Sequence, residues 1–171
     1  MFTGSSAVKM PVTPIRTALI GLSVSAITSW AADAHLPAIQ SPSGQALMQI
    51  TARCNSSVAA AESAIRTYHL DPSTVKAHES PDDLAADPTV DLVICITRVD
   101  RHYETVLARL RAGKSAYIEW LITSTVAEVE ELLAVARASG VTVAVGLQAR
   151  FAPHPVLKVK DILQSGRSGG C

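Results

Sequence analysis

An apolar, β-branched run from Ile15 to Ile20 breaks at Gly21 and passes through Leu22, Ser23, Ser25 and Ala26 before turning helical. A strand, a tight glycine turn and a helix start can grip a pyrophosphate, because backbone N–H groups and the positive end of a helix then converge on it. Gly21, Ser23 and Ala26 fill the three small positions of a G-x-G-x-x-G pattern, with only the first kept as glycine. Ser23 adds a Cβ where the backbone should approach most closely, while Ser23 and Ser25 offer hydroxyls that glycine lacks. The stretch also reads as a plain strand–helix turn. At the end of the next apolar run stand Asn55 and Ser56, where an acidic residue would bind the ribose diol of NAD. Their neutrality removes repulsion towards a 2′-phosphate, and with Arg53 close by NADP is expected at least as readily as NAD. Asn55-Ser56-Ser57 is equally a helix cap. Gln148, Arg150 and Phe151 follow the last predicted strand, on the carboxyl edge where open α/β sheets bind ligands. No metal-ligand cluster, Ser/His/Asp set or GK[ST] phosphate loop is present.

The elements that must position these residues follow from composition and pattern. The 171 residues are 48% hydrophobic and only 4% aromatic, so Val, Ile, Leu and Ala build the core. That favours buried parallel strands with alanine-rich helices. Lys plus Arg equals Asp plus Glu, 15 each, which gives phosphate-backbone binding of nucleic acid no electrostatic support. Cys54, Cys95 and Cys171 lack metal spacing, and Cys95 reads as a small buried hydrophobe. A reducing, cytoplasmic setting is expected, with no membrane partner. Lys9, Arg16 and the apolar segment up to Ala34 sketch a secretory leader, but Ser23, Ser25, Thr28 and Ser29 interrupt it.

Residues 1–13 are expected to form a disordered tail. The pattern then predicts a helix from about Thr28 to Gln40, kinked or ended by Pro37, and a loop at Ser41 to Gly44. Strands are predicted over Leu47–Cys54, Thr74–Ala77, Asp91–Thr97, Ser115–Glu119 and Val141–Val145. Helices are predicted over Val58–Tyr68, from Ser80 to Asp87, over His102–Ala112, Val126–Ser139 and Pro155–Gln164. Val126, Val129, Leu132, Leu133 and Ala136 mark the expected buried face of the fourth of these five. Alternating strands and helices imply an α/β fold with a doubly wound, parallel, Rossmann-like sheet. The dinucleotide-binding domain is placed at 14–152, followed by a linking helix and tail at 153–171.

Several segments together resemble the N-terminal domain of the Gfo/Idh/MocA family (glucose–fructose oxidoreductase, inositol dehydrogenase, rhizopine catabolism). They are Ile15 to Leu22 with its turn, His35-Leu36-Pro37-Ala38-Ile39, Asp91 to Ile94 leading to Thr97 and His102-Tyr103-Glu104, Glu119-Trp120, and Val145 to Phe151. Gly21-Leu22-Ser23, Ser29-Trp30-Ala31 and Glu119-Trp120 look most like the fungal branch, which includes the repressor of the galactose regulon. The family carries a second α/β domain, and this chain stops near where that domain would begin.

The resemblance implies a dinucleotide cofactor, NADP or NAD, bordered by Thr97, Arg98 and His102. Arg98 stands where the family commonly has proline. It also implies that Glu119 lies near the nicotinamide ribose. The family lysine beside the reacting hydroxyl is here Trp120, an indole with one donor and no proton relay, so no catalytic residue is assigned. Leu121 replaces the family proline. A cis bond before it would cost roughly 2.5–4 kcal/mol, so a trans, differently shaped loop is expected. Three functions stay open. One is an NAD(P)-dependent oxidoreductase acting on a small carbonyl, alcohol or sugar-like substrate in fungal metabolism. The others are a non-catalytic NAD(P)-binding transcriptional co-regulator and an inactive remnant. An exposed sheet edge would suit a protein partner or a second copy.

Overall fold

The computed structural model describes residues 13–24, 29–147 and 153–165. Six strands pair in parallel: β1 (Ile15–Ile20), β2 (Met48–Cys54), β3 (Lys76–His78), β4 (Leu92–Cys95), β5 (Ser115–Glu119) and β6 (Val143–Gly146). Their order is β3-β2-β1-β4-β5-β6. The chain therefore winds outward from β1 in one direction, then returns and winds outward in the other. The carboxyl ends of β1 and β4 flank the switch point, where such sheets open a crevice. β1 is a buried central strand, so the leader reading of its apolar run is set aside.

Successive side chains of a strand face opposite ways, and the core divides accordingly. Leu19 and Ile94 pack with Ala31, Leu36, Ile39 and Ile65 on one face. Ala18, Ile20 and Val93 pack with Leu84 on the other, and Cys95 with Val106, Leu110 and Leu132 further along it. Both faces are thus covered by helices, as the near-continuous apolar strands require.

The helices are α1 (Leu36–Gln40), α2 (Pro42–Gln45), α3 (Val58–Thr67), α4 (Pro81–Ala86), α5 (Val99–Arg111), α6 (Val126–Ser139) and α7 (Pro153–Gln164). Local chemistry sets most of their starts. Ser57 accepts from Ala60 N–H, Ser80 from Asp83 N–H, and Thr125 forms a reciprocal capping box with Glu128. Gly140 ends α6 at φ +66°, a left-handed turn that suits glycine.

Several expectations need correction. Pro37 does not end the first helix. A π-helical turn over Ala31–His35, closed by Leu36 N–H to Ala31 C=O, precedes it, and the proline sits in the first turn of α1 where its missing N–H is tolerated. Ser41 starts a further turn, α2, by accepting from Gly44 N–H. Turns centred on Asp71 hold Thr74 and Val75, so β3 begins only at Lys76. β4 is shorter than expected, because Asp91 is turned to pair with Arg16. α5 starts three residues before His102, with Arg98 as its extended cap. Val141 N–H returns to Ala136 C=O and delays β6. α7 starts at Pro153. α6 buries only Leu132 and Ala136, while Val126 and Leu133 are exposed, because it meets α5 along a narrow stripe. The expected tail, the helix start at Thr28 and the residues beyond 165 lie outside the described residues.

Candidate functional site

The turn after β1 is built around Gly21. Its φ is +101°, and a Cβ there would lie 2.1 Å from the Ile96 carbonyl oxygen, so conformation and space both call for glycine. Leu22 is wholly buried; its side chain belongs to the core, and only its backbone faces the turn. That backbone is tied down from β2. Asn55 Nδ2 donates to Leu22 C=O at 3.1 Å, and Arg53 donates to the carbonyls of Leu19, at 3.1 Å, and Leu22, and to Asn55 Oδ1 at 2.6 Å. The expectation that Arg53 could help a 2′-phosphate is overturned. It is 0% exposed and committed to backbone carbonyls, and burial pushes its guanidinium down to about 10. Asn55 likewise commits both ends of its amide, Nδ2 to the turn and Oδ1 to Arg53. The helix cap is Ser57; Ser56 is exposed beside it. Ser23 accepts from Tyr68 Oη through its carbonyl and borders, with Asn55 and Ser63, a hollow of about 260 Å³.

Across the switch point lies a wider groove of about 1020 Å³, bordered by Gly21, Trp30, Thr97, Arg98, Glu119 and Trp120. Arg98 extends into solvent and pairs with Asp100 at 3.2 Å. His102 does not reach the groove. Only 2% exposed, it stands behind it, with Nδ1 2.8 Å from Leu121 C=O and 3.2 Å from Ile122 C=O, and Nε2 3.0 Å from Thr97 C=O. It therefore ties the loop after β4 to the loop after β5. The Trp120–Leu121 peptide is cis, against the expectation of a trans loop. Leucine, not proline, follows this bond, and the carbonyls of Leu121 and Ile122 face His102 Nδ1. Trp120 and Leu121 project outward, 60% and 49% exposed.

Glu119 ends β5 inside the groove wall. Its Oε1 accepts from His35 Nε2 and, at 3.5 Å, from Tyr117 Oη. The His35 ring meets Tyr117 edge-on at 5.4 Å between centroids, and Trp30 meets His35 likewise at 6.4 Å. β6 closes over this group. A Cβ on Gly146 would fall 2.4 Å from Tyr117 Oη and 3.0 Å from Glu119 Oε2. His35, Asp33 and Trp30 went unsingled as site residues in the sequence. No local spacing could pair His35 with Glu119, 84 positions away. Ser25, Ala26, Gln148 and Arg150 lie outside the described residues. Among the described residues no cluster of three His, Cys, Asp or Glu could hold a metal, and no helix is long and apolar enough to cross a membrane.

Residues 15–147 match the family model described as Gfo/Idh/MocA, "Oxidoreductase family, NAD-binding Rossmann fold". The chain belongs to this family. Among Gfo/Idh/MocA relatives, dehydrogenase aclE of Aspergillus oryzae is 41% identical over 121 residues, which are 71% of this chain and 32% of aclE. The galactose/lactose metabolism regulatory protein GAL80 of Saccharomyces cerevisiae is 28% identical over 162 residues, 91% of this chain and 36% of GAL80. A crystal structure of a super-repressor mutant of Gal80p from that yeast superimposes with a TM-score of 0.73, at 28% identity, over 92% of this chain and 40% of Gal80p. KijD10, a 3-ketoreductase from Actinomadura kijaniata solved with NADP, does so with a TM-score of 0.72, at 26% identity, over 90% of this chain and 45% of KijD10. The chain spans about a third of the length of these two curated relatives. It carries the NAD-binding Rossmann fold of an oxidoreductase family whose relatives include both dehydrogenases and a regulator.

Proposed function

We propose that this chain is the cofactor domain of a nicotinamide-dependent oxidoreductase acting on a small carbonyl, alcohol or sugar-like substrate. The reading is carried by the groove at the switch point, where a glycine turn anchored by Asn55 and Arg53 faces the loops after β4 and β5. The residues fit a dinucleotide. The Gly21 turn has no room for a side chain, and the space beside it is at the upper end of ligand-pocket sizes. The backbone of Gly21 and Leu22, with Ser23, Ser25 and Ala26, would hold the pyrophosphate. Asn55 and Ser56 would lie towards the adenine ribose, and Thr97 and Arg98 along the middle. Glu119 would lie towards the nicotinamide ribose, with Gln148 and Arg150 at the far edge. The bound cofactor would supply the hydride-accepting carbon; the chain's own residues bind and orient it. With Arg53 buried, and with Ser23, Val24, Asn55, Ala60 and Ser63 around the smaller hollow, no cation or carboxylate among the described residues bordering it selects NADP over NAD. We therefore expect both to bind. Buried free thiols at Cys54 and Cys95 suit a reducing, cytoplasmic setting.

A second reading, a dinucleotide-binding regulator without turnover, is favoured by one observation. Trp120 occupies the position of the family lysine and points outward. The test begins with thermal stability in NAD and NADP, oxidised and reduced. The absorbance of reduced nicotinamide is then followed with a panel of sugars, polyols and aldehydes. Stabilisation with turnover supports the oxidoreductase, and stabilisation without turnover supports the regulator. Stabilisation by none of the four removes both.

A further inference from the structure

Arg53 is a wholly buried cation on β2, beneath the turn that follows β1. Its guanidinium donates to the carbonyls of Leu19 and Leu22 and to the amide oxygen of Asn55. All three acceptors are uncharged, and Arg53 Nε has no hydrogen-bond partner. The adjoining Cys54 thiol is pushed up by burial, so it stays neutral at neutral pH. Arg53 itself, lowered to about 10, stays charged there. Among the described residues no carboxylate pairs with it. A buried charge left without a counter-charge is costly.

The turn above Arg53 shows where a counter-charge would sit. Leu22 C=O accepts from both Arg53 and Asn55 Nδ2, so the cation holds the turn from inside the fold. Gly21 of the same turn borders the groove. The arginines bordering that groove are already engaged, Arg98 with Asp100 and, at 3.5 Å, Arg101 with Glu104. The smaller hollow beside Ser23 and Asn55 has no charged side chain among its described border. A pyrophosphate on this turn therefore lies one peptide layer above a charge that the protein leaves unpaired.

We propose that Arg53 supplies the counter-charge to the ligand's pyrophosphate from beneath the turn, through the Leu22 peptide and without touching the ligand. The inference rests on the dinucleotide reading above. It makes Arg53 a positioning residue with an electrostatic part, since attraction between unit charges persists over several ångströms where water is excluded. NAD and NADP share the pyrophosphate, so the attraction strengthens both and does not choose between them.

The experiment is calorimetry of the full chain with NAD at neutral pH. Wild type is compared with Arg53→Lys, which keeps the charge, and Arg53→Gln, which removes it, with circular dichroism confirming the fold. Amide exchange over Gly21–Val24 in the free proteins reports whether the turn itself survives. Arg53→Lys should bind within about threefold of wild type, and Arg53→Gln about tenfold or more weakly. The turn should exchange no faster in Arg53→Gln than in Arg53→Lys. Equal loss of affinity in both variants, or a turn that loosens only where affinity is lost, would mean that Arg53 serves through its hydrogen bonds alone. Either result, or undiminished binding by Arg53→Gln, overturns the inference while leaving the dinucleotide reading intact. If Arg53→Lys does not fold, Arg53→Gln still decides: affinity lost with the turn protected as in wild type supports the charge, and affinity lost together with that protection overturns it. Arg53→Met takes the place of Arg53→Gln if the latter does not fold. Failure of wild type to bind either NAD or NADP overturns the dinucleotide reading, and the inference with it.

Discussion

Asp87 ends α4 and is 5% exposed, yet it accepts from Lys76 Nζ and His78 Nε2 at 3.0 Å and from Thr89 N and Oγ1 at 2.8 and 2.7 Å. Burial alone would raise its carboxyl, but the bonds from Thr89, Lys76 and His78 outweigh it and hold the group well below the usual carboxylate range. A depressed acid stabilises the fold above its unfolded value, near 4, and loses that contribution as pH falls towards the folded value. Asp87→Asn should therefore cost about 2 kcal/mol at neutral pH and flatten the loss of stability in acid. Urea midpoints at neutral pH and at about pH 3 measure both; an unchanged acid slope in the variant would refute the assignment. Asp87 was read in the sequence only as the end of a helix. Arg53 shows the opposite failure. A cation next to a proposed phosphate site reads as a ligand, but β2 is covered on both faces there, so Thr51 to Cys54 are all buried and the guanidinium must satisfy carbonyls instead.

Among the elements, starts marked by a serine or threonine cap were legible, because capping is chemistry between near neighbours. The serine run before α3, where Ser57 is the cap, and Ser80 before α4 are examples. Pro37 signalled a break, but its neighbours do not reveal that a widened turn would absorb it. The loops after β4 and β5 were harder still. Their shape depends on His102, whose ring reaches three carbonyls on segments 5 and 19 to 20 residues away. Both ring nitrogens face oxygen acceptors, so no apolar side chain can replace the imidazole without loss. His102→Leu should destabilise by about 2–3 kcal/mol, the cost of unpaired buried carbonyls. Amide exchange should quicken around Thr97–Val99 and Leu121–Thr123 more than in β2 or α3. Equal quickening everywhere would show that His102 supports the core at large and does not specifically join these two loops.

For the whole molecule, the parallel sheet was legible because apolar strands covered on both faces and helices of regular length repeat along the chain. The location of the candidate groove follows the topology, since the two halves of the sheet wind apart at the boundary between β1 and β4. A competing hollow exists. Between α3 and the edge strand β3, Glu62, Arg66, Pro72 and Lys76 border a space of about 570 Å³. It lies away from the glycine turn, with Glu62 and Arg66 on α3 and Lys76 on the three-residue strand. If the switch-point groove is the binding site, saturating dinucleotide should slow amide exchange in Gly21–Val24, Ile96–Arg98 and Glu119–Ile122, segments drawn from three separate stretches of chain. β3 and the adjoining end of α3 should keep their unbound rates. At about a hundredfold over its dissociation constant the ligand should add close to 2.7 kcal/mol to global stability. That gain appears uniformly in exchange limited by global unfolding, so the informative amides are those opening locally. Protection centred on Pro72–His78 would move the site to the sheet edge and refute the groove. Protection at Gly21–Val24 without Glu119–Ile122 would confine binding to a mononucleotide half, leaving the end of β5 without a ligand to act on.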